Sequence, residues 1–343
     1  MMSAQKGKNT RLVWYSIVLC VLVMWVHIYN LDIFFTSPKT WIVLIEDTEV
    51  LMLGTPAVAG FFALSGFLLF KGFDRKTAGR KLKGRVKSLL VPYLVWNLIY
   101  SLYAFVMANS SFLNRFADQK EVTPQMVFRG IFDCNIHNPI FWYIKYLMVF
   151  VLITVTFSVV IQNRWWAPMV LLLLLIFNLT GFSEKLPQEL RIMSFWAVFF
   201  MGGIVLSLFP EIRIWCRAHD RMQTIVSFIV FVVFFIGYYH SSATHWYLEY
   251  HISIAWAIWN LTGFFGDKKP PRLFSDTFFL YASHWLISRN VNKLICVIMG
   301  TDMIWGMLSW IILPFIIVGI TFLVKKICSG KLHPLWVVLN GGR

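Results

Sequence analysis

The chain has 343 residues, 58% of them hydrophobic and only 14% charged, where an ordinary soluble domain carries about 25% charged residues. So little charge cannot cover a water-facing surface, which excludes a soluble enzyme. The net charge of +15 would suggest nucleic acid only on a soluble face; here it lies in the gaps between apolar runs, so no nucleic-acid partner is expected.

Crossing about 30 Å of hydrocarbon as a helix takes roughly 20 residues. About ten such runs follow in chain order: Leu12–Asn30, Leu53–Phe70, Leu89–Ala108, Pro139–Ile161, Trp165–Phe182, Ile192–Phe209, Thr224–Tyr239, Tyr247–Phe265, Phe274–Ile295 and Met303–Val324. They are continuously apolar and do not alternate, which predicts helices and not barrel strands. The expected fold class is all-α, a polytopic membrane helical bundle of about ten transmembrane helices, forming one domain over residues 1–343. The seventh run is the shortest and the ninth the most polar. His-Ile-Tyr-Asn-Leu-Asp follows the first run where a cleaved signal would have small residues, so that helix is expected to remain.

The placement of the cations predicts an orientation. With the N-terminus inside, the cytoplasmic segments hold Lys6, Lys8 and Arg11, then Lys71, Arg75, Lys76, Arg80, Lys81, Lys83, Arg85 and Lys87. Arg164 follows, then Arg213, Arg217, Arg221, Lys268, Lys269 and Arg272, and finally Lys325, Lys326, Lys331 and Arg343. These are most of the 31 Lys and Arg, as the positive-inside rule requires of an N-in, C-in protein. The five cysteines lack metal-ligand spacing. Cys134 and Cys296 fall on the outer side, where a disulfide is one alternative to free thiols.

Three connections are long enough to carry structure. Leu31–Met52 contains Trp41-Ile-Val-Leu-Ile, suited to lying in the interface. Lys71–Ser88 is strongly basic. Asn109–Asn138 contains Thr123-Pro124, a helix cap and first-turn proline, and then Met126, Val127, Phe128, Ile131 and Phe132, a short amphipathic helix. Long loops tend to be functional, so a non-lipid substrate is expected at the outer face.

Ionisable groups inside the runs are the informative ones. His27 lies about 22 Å along the first helix from Leu12, in the outer third of the core. A neutral imidazole there suits a general base; the plain alternative is an interfacial histidine bonded to a neighbouring helix. Lys145 opens the fourth run and either binds a phosphate or carboxylate or snorkels to headgroups. His284 sits mid-run in the ninth helix and must face the bundle, for a hydrogen bond or for a site. His240, His245, Glu249 and His251 gather near one junction without a zinc signature, and no metal is expected. The basic loop Lys71–Lys87 suits anionic lipid, and equally the attraction of a polyanionic cytoplasmic ligand. Arg85, Leu89, Pro92, Tyr93 and Trp96 share one helical face by spacing.

The chain resembles the acyltransferase-3 family of bacterial multi-span membrane proteins. Val21-Leu-Val-Met-Trp-Val-His27 is similar to the family's apolar run closing on histidine. Gly60-Phe-Phe-Ala-Leu-Ser65-Gly66-Phe67 is similar to its Phe-Phe-x-x-Ser-Gly motif. Arg85-Val-Lys87-Ser-Leu-Leu-Val-Pro92-Tyr93-Leu-Val-Trp96 resembles its basic-Leu-x-x-Pro-Tyr stretch. Trp142-Tyr-Ile-Lys145-Tyr-Leu and Tyr281-Ala-Ser283-His284 resemble its fourth-helix entry and late histidine motif. The resemblance implies transfer of an acetyl- or succinyl-type group from cytoplasmic acyl-CoA, a co-substrate and not a bound cofactor. The implied acceptor is a hydroxyl of an extracytoplasmic glycan or lipid-linked saccharide, and the implied location is the bacterial inner membrane. It makes His27 the base, places Arg85, Lys87 and Lys145 at the donor, and leaves Ser65, Tyr93, Trp96, Trp142 and His284 as pocket candidates. A path from the basic loop to His27 is then required. One departure is that the family's arginine eleven residues before the histidine is Ser16 here, with Arg11 on another helical face. A glycan or lipid-linked transporter, or a non-catalytic partner in polysaccharide assembly, is the alternative. A transporter predicts inverted repeats and interrupted helices, and neither is visible in the sequence.

Overall fold

The structure is a computed structural model that describes residues 2–34, 39–49, 54–74, 76, 78–241, 244–265, 268–271, 274, 276–328 and 330–342. Leu53, Arg75, Arg272 and Arg343 lie outside the described residues, as do the side chains of Lys6, Lys8, Arg213, Arg217 and His245.

Among the described residues every regular element is a helix. In chain order they are α1 (Met2–Val26), α2 (Leu31–Phe34), α3 (Thr40–Glu49), α4 (Thr55–Phe70), α5 (Ala78–Arg85) and α6 (Val91–Asn109). Then come α7 (Pro124–Phe132), α8 (Trp142–Thr156), α9 (Ser158–Ile161), α10 (Trp166–Leu179), α11 (Gln188–Leu208) and α12 (Pro210–Ala218). The last are α13 (Asp220–Ser241), α14 (Thr244–Leu261), α15 (Thr277–Met299), α16 (Met303–Cys328) and α17 (His333–Leu339).

Six helical segments among the described residues are long and apolar enough to cross a membrane: Thr10–Phe34, Ala78–Asn109, Pro139–Thr156, Gln188–Leu208, Asp220–His240 and Met303–Cys328. Thr55–Phe70 and Trp166–Leu179 are apolar but shorter. The eighth and ninth runs fall on α14 and α15, which carry more polar side chains. Exposed apolar surface accompanies the long helices: α13 leaves Ile225, Phe228, Ile229, Val233 and Ile236 uncovered. In water such a stripe would be a liability; in lipid it is the expected surface. The chain is a multi-pass membrane protein.

Five of the runs differ from the sequence reading. The seventh run is not the shortest helix, because α13 extends to 22 residues through polar Asp220–Gln223. α10 is shorter, 14 residues, or about 21 Å. The fourth run breaks at Phe157, after a β-branched stretch and between Thr156 and Ser158, residue types that favour helix ends over helix interiors. A π-helical turn, Val86–Leu90, separates Arg85 from α6. Its i→i+5 bonding moves Arg85 off the register that spacing alone assigns to the face of Leu89, Pro92, Tyr93 and Trp96, all four of which are buried. The first helix ends at Val26, so His27 is not on it.

The chain forms two compact units. The first comprises Met1–Val26, Asp47–Lys81 and Phe150–Arg272. At its centre α4, apolar on every side, packs on α1, α11 and α14. The approach to α11 is backbone to backbone. A methyl group on Gly66 would stand 2.0 Å from the Phe200 carbonyl oxygen, and one on Gly203 1.9 Å from that of Ala63. Phe62 fills the remaining space, stacked on Trp196 at 5.3 Å. Lys81 donates to the Leu69 and Lys71 carbonyls at 2.8 and 3.2 Å, closing the C-terminal end of α4. One cation of the basic loop is therefore a helix cap.

Arg11 is also structural. Its guanidinium pairs with Asp220 at 3.0 Å, donates to the Trp259 carbonyl at 3.0 and 3.3 Å, and lies 4.7 Å from the Trp259 ring centroid. It ties α1 to α13 and α14. His251, from the histidine group around the turn between α13 and α14, is buried with Nδ1 bonded to the Tyr247 carbonyl at 2.7 Å.

The second unit comprises His27–Glu46, Leu82–Val149 and Leu273–Arg343. α15 packs on α16, α2 sits on both, and α6 carries α7 and α17. Thr123 caps α7 as read from sequence, its hydroxyl accepting from Met126 N–H at 3.3 Å. The helix turns Phe128 and Phe132 outward, edge to face at 5.5 Å and both more than half exposed. α3 likewise exposes Trp41, Leu44 and Ile45 while burying Ile42, an interfacial stripe. All five cysteines are free; Cys296 Sγ donates to the Ile33 carbonyl, and Cys134 is buried.

Candidate active site

The second unit brings His27 and His284 together. His27 and Ile28 lie past the end of α1, outside helical bonding. α15 bonds their carbonyls: Ser288 Oγ donates to that of His27 at 3.0 Å and Asn292 Nδ2 to that of Ile28 at 3.4 Å. Asn30 continues the tether, with its N–H on Glu46 Oε2 at 3.2 Å and Nδ2 on the Gly306 carbonyl at 3.0 Å. The backbone around His27 is therefore held by side chains more than 250 residues away.

The two imidazole rings lie 5.1 Å apart, tilted by 45°. His27 is half-buried, and its ring makes no hydrogen bond to any described residue. His284 is fully buried. Its Nδ1 faces the carbonyls of Tyr281 and Leu280 at 2.6 and 3.2 Å. Carbonyls only accept, so Nδ1 carries the proton and Nε2 keeps a lone pair. That Nε2 is buried and has no partner among the described residues. An unsatisfied buried acceptor costs about 1–3 kcal/mol, and such exceptions in a folded protein call for a reason. A lone pair beside a second, unbonded imidazole can orient a proton or accept one from a hydroxyl.

α15 explains why the ninth run reads as the most polar. His284, Ser288 and Asn292, four residues apart, are all buried on one stripe. The adjacent stripe carries Trp285, Arg289 and Lys293. Arg289 reaches Asp32 at 2.8 Å and Asp118 at 2.9 Å, and Lys293 reaches the same Asp118 oxygen at 2.8 Å. These four charges join α2, α15 and the long loop after α6. Burial opposes ionisation of Asp118, but the hydrogen bonds and charges of Lys293 and Arg289 outweigh it and hold the carboxyl below its ordinary range. A depressed carboxyl stabilises the fold above the ordinary carboxylate pKa, and that contribution is lost as pH falls through the depressed value. Asp118→Ala removes two charge-assisted bonds at a partly exposed site and is expected to cost about 2 kcal/mol. It should lower the melting temperature in detergent at pH 7 and much less in strong acid.

The other sequence candidates fall as follows. Arg85 is half-buried at the end of α5, and Lys87 is exposed on the π-helical turn. Lys145 is half-buried in the first turn of α8. Burial pushes the Cys134 thiol up, with a Tyr93 hydrogen bond and the Lys145 charge pulling the other way. Tyr93 donates its hydroxyl to the Phe132 carbonyl at 3.0 Å and accepts from Cys134 N–H at 3.2 Å. Trp96 donates to the Leu339 carbonyl at 3.0 Å. Both polar tips thus hold backbone: Tyr93 the end of α7, Trp96 that of α17. Trp142 packs edge to face on Tyr146 at 6.0 Å. Ser65 belongs to the first unit, one residue before the glycine that lets α11 approach.

Sequence reading missed Ser288, Asn292 and the pair Arg289–Asp118. The i, i+4 spacing of polar residues along the ninth run was the available signal. What could not be read was that both stripes meet segments at the far end of the chain.

No curated protein matches the chain, and no solved structure does. A family model described as an acyltransferase domain matches residues 17–325, nearly the whole chain. The histidine pair and both units lie largely within that match, and the chain belongs to the acyltransferase-3 family.

Proposed function

We propose that the protein is a bacterial inner-membrane O-acyltransferase. It moves an acetyl- or succinyl-type group from cytoplasmic acyl-CoA to a hydroxyl of an extracytoplasmic glycan or lipid-linked saccharide. The observation that carries this reading is the His27–His284 pair, an imidazole without a hydrogen-bond partner beside a buried, protonatable lone pair, in a chain of this family.

His27 takes the proton of the acceptor hydroxyl as its oxygen attacks the thioester carbonyl. An O–C bond forms, the C–S bond breaks, and the thiolate of CoA leaves with the proton that His27 accepted. In the reacting arrangement His27 donates to His284 Nε2, a bond not made in the structure, where the rings stand 5.1 Å apart, and that bond fixes which His27 nitrogen carries hydrogen. Arg85 and Lys87 attract the donor phosphates, and Lys145 balances negative charge on the donor or the oxyanion. Arg11, engaged with Asp220 and Trp259, does not replace the arginine absent at Ser16, so the donor depends on these other cations.

The sorting of the connections into two sides gains support from the ion pairs. Arg11–Asp220, Arg164–Glu211 and Lys325–Asp276 each join segments assigned to the cytoplasm. Arg289 and Lys293 join Asp32 and Asp118 on the outer side. The test is the acylation of surface glycans in a deletion strain, measured by mass spectrometry. Loss of acyl groups, restored by the wild-type chain, is expected. Unchanged acylation would favour the transport or assembly alternative.

A further inference from the structure

A cavity of about 230 Å³ opens in the second unit, with Trp285, the next residue after His284, in its wall. Tyr103, Asp118, Gln119, Asn135 and His137 supply the rest of its polar lining. Cavities for drug-sized ligands run from about 300 Å³ upward, so this one suits a single small ring.

The polar groups divide into those already bonded and those still free. Gln119 Nε2 donates to the Ile136 carbonyl at 2.7 Å, which turns Oε1 to His137 Nδ1 at 2.7 Å. Both side chains are thereby fixed in orientation. The Tyr103 hydroxyl donates to Asn290 Oδ1 at 2.6 Å and can still accept. Asp118 uses Oδ1 for both Arg289 and Lys293. Its Oδ2, the Trp285 indole N–H and the Asn135 amide N–H₂ have no hydrogen-bond partner among the described residues. The wall therefore offers a carboxylate oxygen, a phenolic oxygen, two kinds of N–H donor and an aromatic ring, on a floor of Ala104, Met107 and Ile136.

Charge decides the ligand class. Asp118 is the only charged side chain in the lining. Burial pushes the His137 imidazole below its ordinary range, so it is neutral at pH 7. Arg289 and Lys293 already have their counter-ions in Asp32 and Asp118. A phosphate or carboxylate entering here would meet a like charge with no free cation to offset it. That excludes the nucleotide end of an acyl-CoA. A polyol with an apolar ring face fits: its hydroxyls donate to Asp118 and Tyr103, accept from Asn135 and Trp285, and its C–H face lies on aromatic surface.

We infer that this cavity is a subsite for one uncharged sugar ring of the acceptor. The word acceptor rests on the acyltransferase reading; the binding of a neutral sugar does not. Because Trp285 and His284 are neighbours on α15, a ring held here is carried on the same helix as His284.

The test is ligand-observed saturation-transfer NMR on the purified full chain in detergent. The probes are the methyl glycosides of glucose, galactose and N-acetylglucosamine, with methyl glucuronide as the charged counterpart. At least one neutral glycoside is expected to bind saturably, and methyl glucuronide at least about tenfold more weakly than the best of them. Ala104→Phe fills the cavity and should abolish binding. Asn135→Ala, at an exposed position that does not threaten the fold, should weaken it about three- to tenfold. Absence of saturable binding by every neutral glycoside, equal or tighter binding of the glucuronide, or binding unchanged in both variants would each overturn the subsite. His27→Ala should keep glycoside binding. If it binds glycosides and still acylates, the assignment of His27 fails while the subsite stands.

Discussion

Replacing His27 with alanine is expected to lower the turnover of acyl transfer by about 10²–10⁴-fold, the usual contribution of a positioned general base. The variant should fold, because the backbone carbonyl of His27, and not its ring, is what Ser288 holds. The ring makes no hydrogen bond to a described residue, so its removal strips no structural partner. KM for the acyl donor should change little, since donor phosphates are assigned to Arg85 and Lys87. His284→Gln is expected to behave differently. It disturbs the orientation of His27 without removing the base, giving a loss of about tenfold to a hundredfold in kcat with the donor KM retained. The measurement is steady-state transfer from radiolabelled acyl-CoA to a glycan acceptor in proteoliposomes. Wild-type turnover in His27→Ala would remove it as the base. A loss in His284→Gln as large as in His27→Ala would make the second histidine a reacting group and not an orienting one.

The second large effect is on folding. Gly203→Leu should prevent assembly of the first unit, at a cost of at least about 3 kcal/mol, the upper range for overpacked cores. The reason is the 1.9 Å between a methyl group at this position and the Ala63 carbonyl oxygen. That neighbour is backbone and cannot rotate away, so α4 and α11 would have to separate along their contact. Native stabilities are about 5–15 kcal/mol, and close backbone packing is a main source of association between helices in lipid. Gly202→Ala is the matched control: nothing lies within 4 Å of a methyl group there, and alanine favours a helix by up to about 1 kcal/mol over glycine. Yield of monodisperse protein and its melting temperature separate the two. Equal yields would mean that the helices slide apart cheaply. The same geometry accounts for the glycine of the Phe-Phe-x-x-Ser-Gly segment: Gly66 meets the Phe200 carbonyl as Gly203 meets that of Ala63. This part of the motif is a packing requirement.

His27 shows how far the sequence could be read. Its polarity within an apolar run made it conspicuous, and the cost of an imidazole in hydrocarbon justified the attention. Its place at the outer end of a helix was close, but the helix ends one residue earlier. In the interior of a helix its carbonyl and those around it would have bonded backbone. Off the helix, they are held by Ser288 and Asn292, and the same stripe of α15 presents His284. Tyr93 and Trp96 show the converse. Their shared face was legible from spacing, whereas their hydrogen bonds to Phe132 and Leu339 depend on where two distant segments come to rest.

What the sequence determined by itself is what local physics determines. Apolar runs long enough for lipid, with a charge-poor composition, settle the all-helical membrane class, because a backbone in hydrocarbon must bond within its own segment. Thr123-Pro124 sets a helix start because the cap needs only its neighbours. What tertiary structure alone decided are the contacts across hundreds of residues: which polar groups inside the spans meet, and which find no partner. Arg11 became a structural cation, His27 and His284 became a pair, and Asp118 was left with one oxygen bonded and one free. In each case the deciding partner is remote in the chain, and no periodicity records where a remote helix will pack.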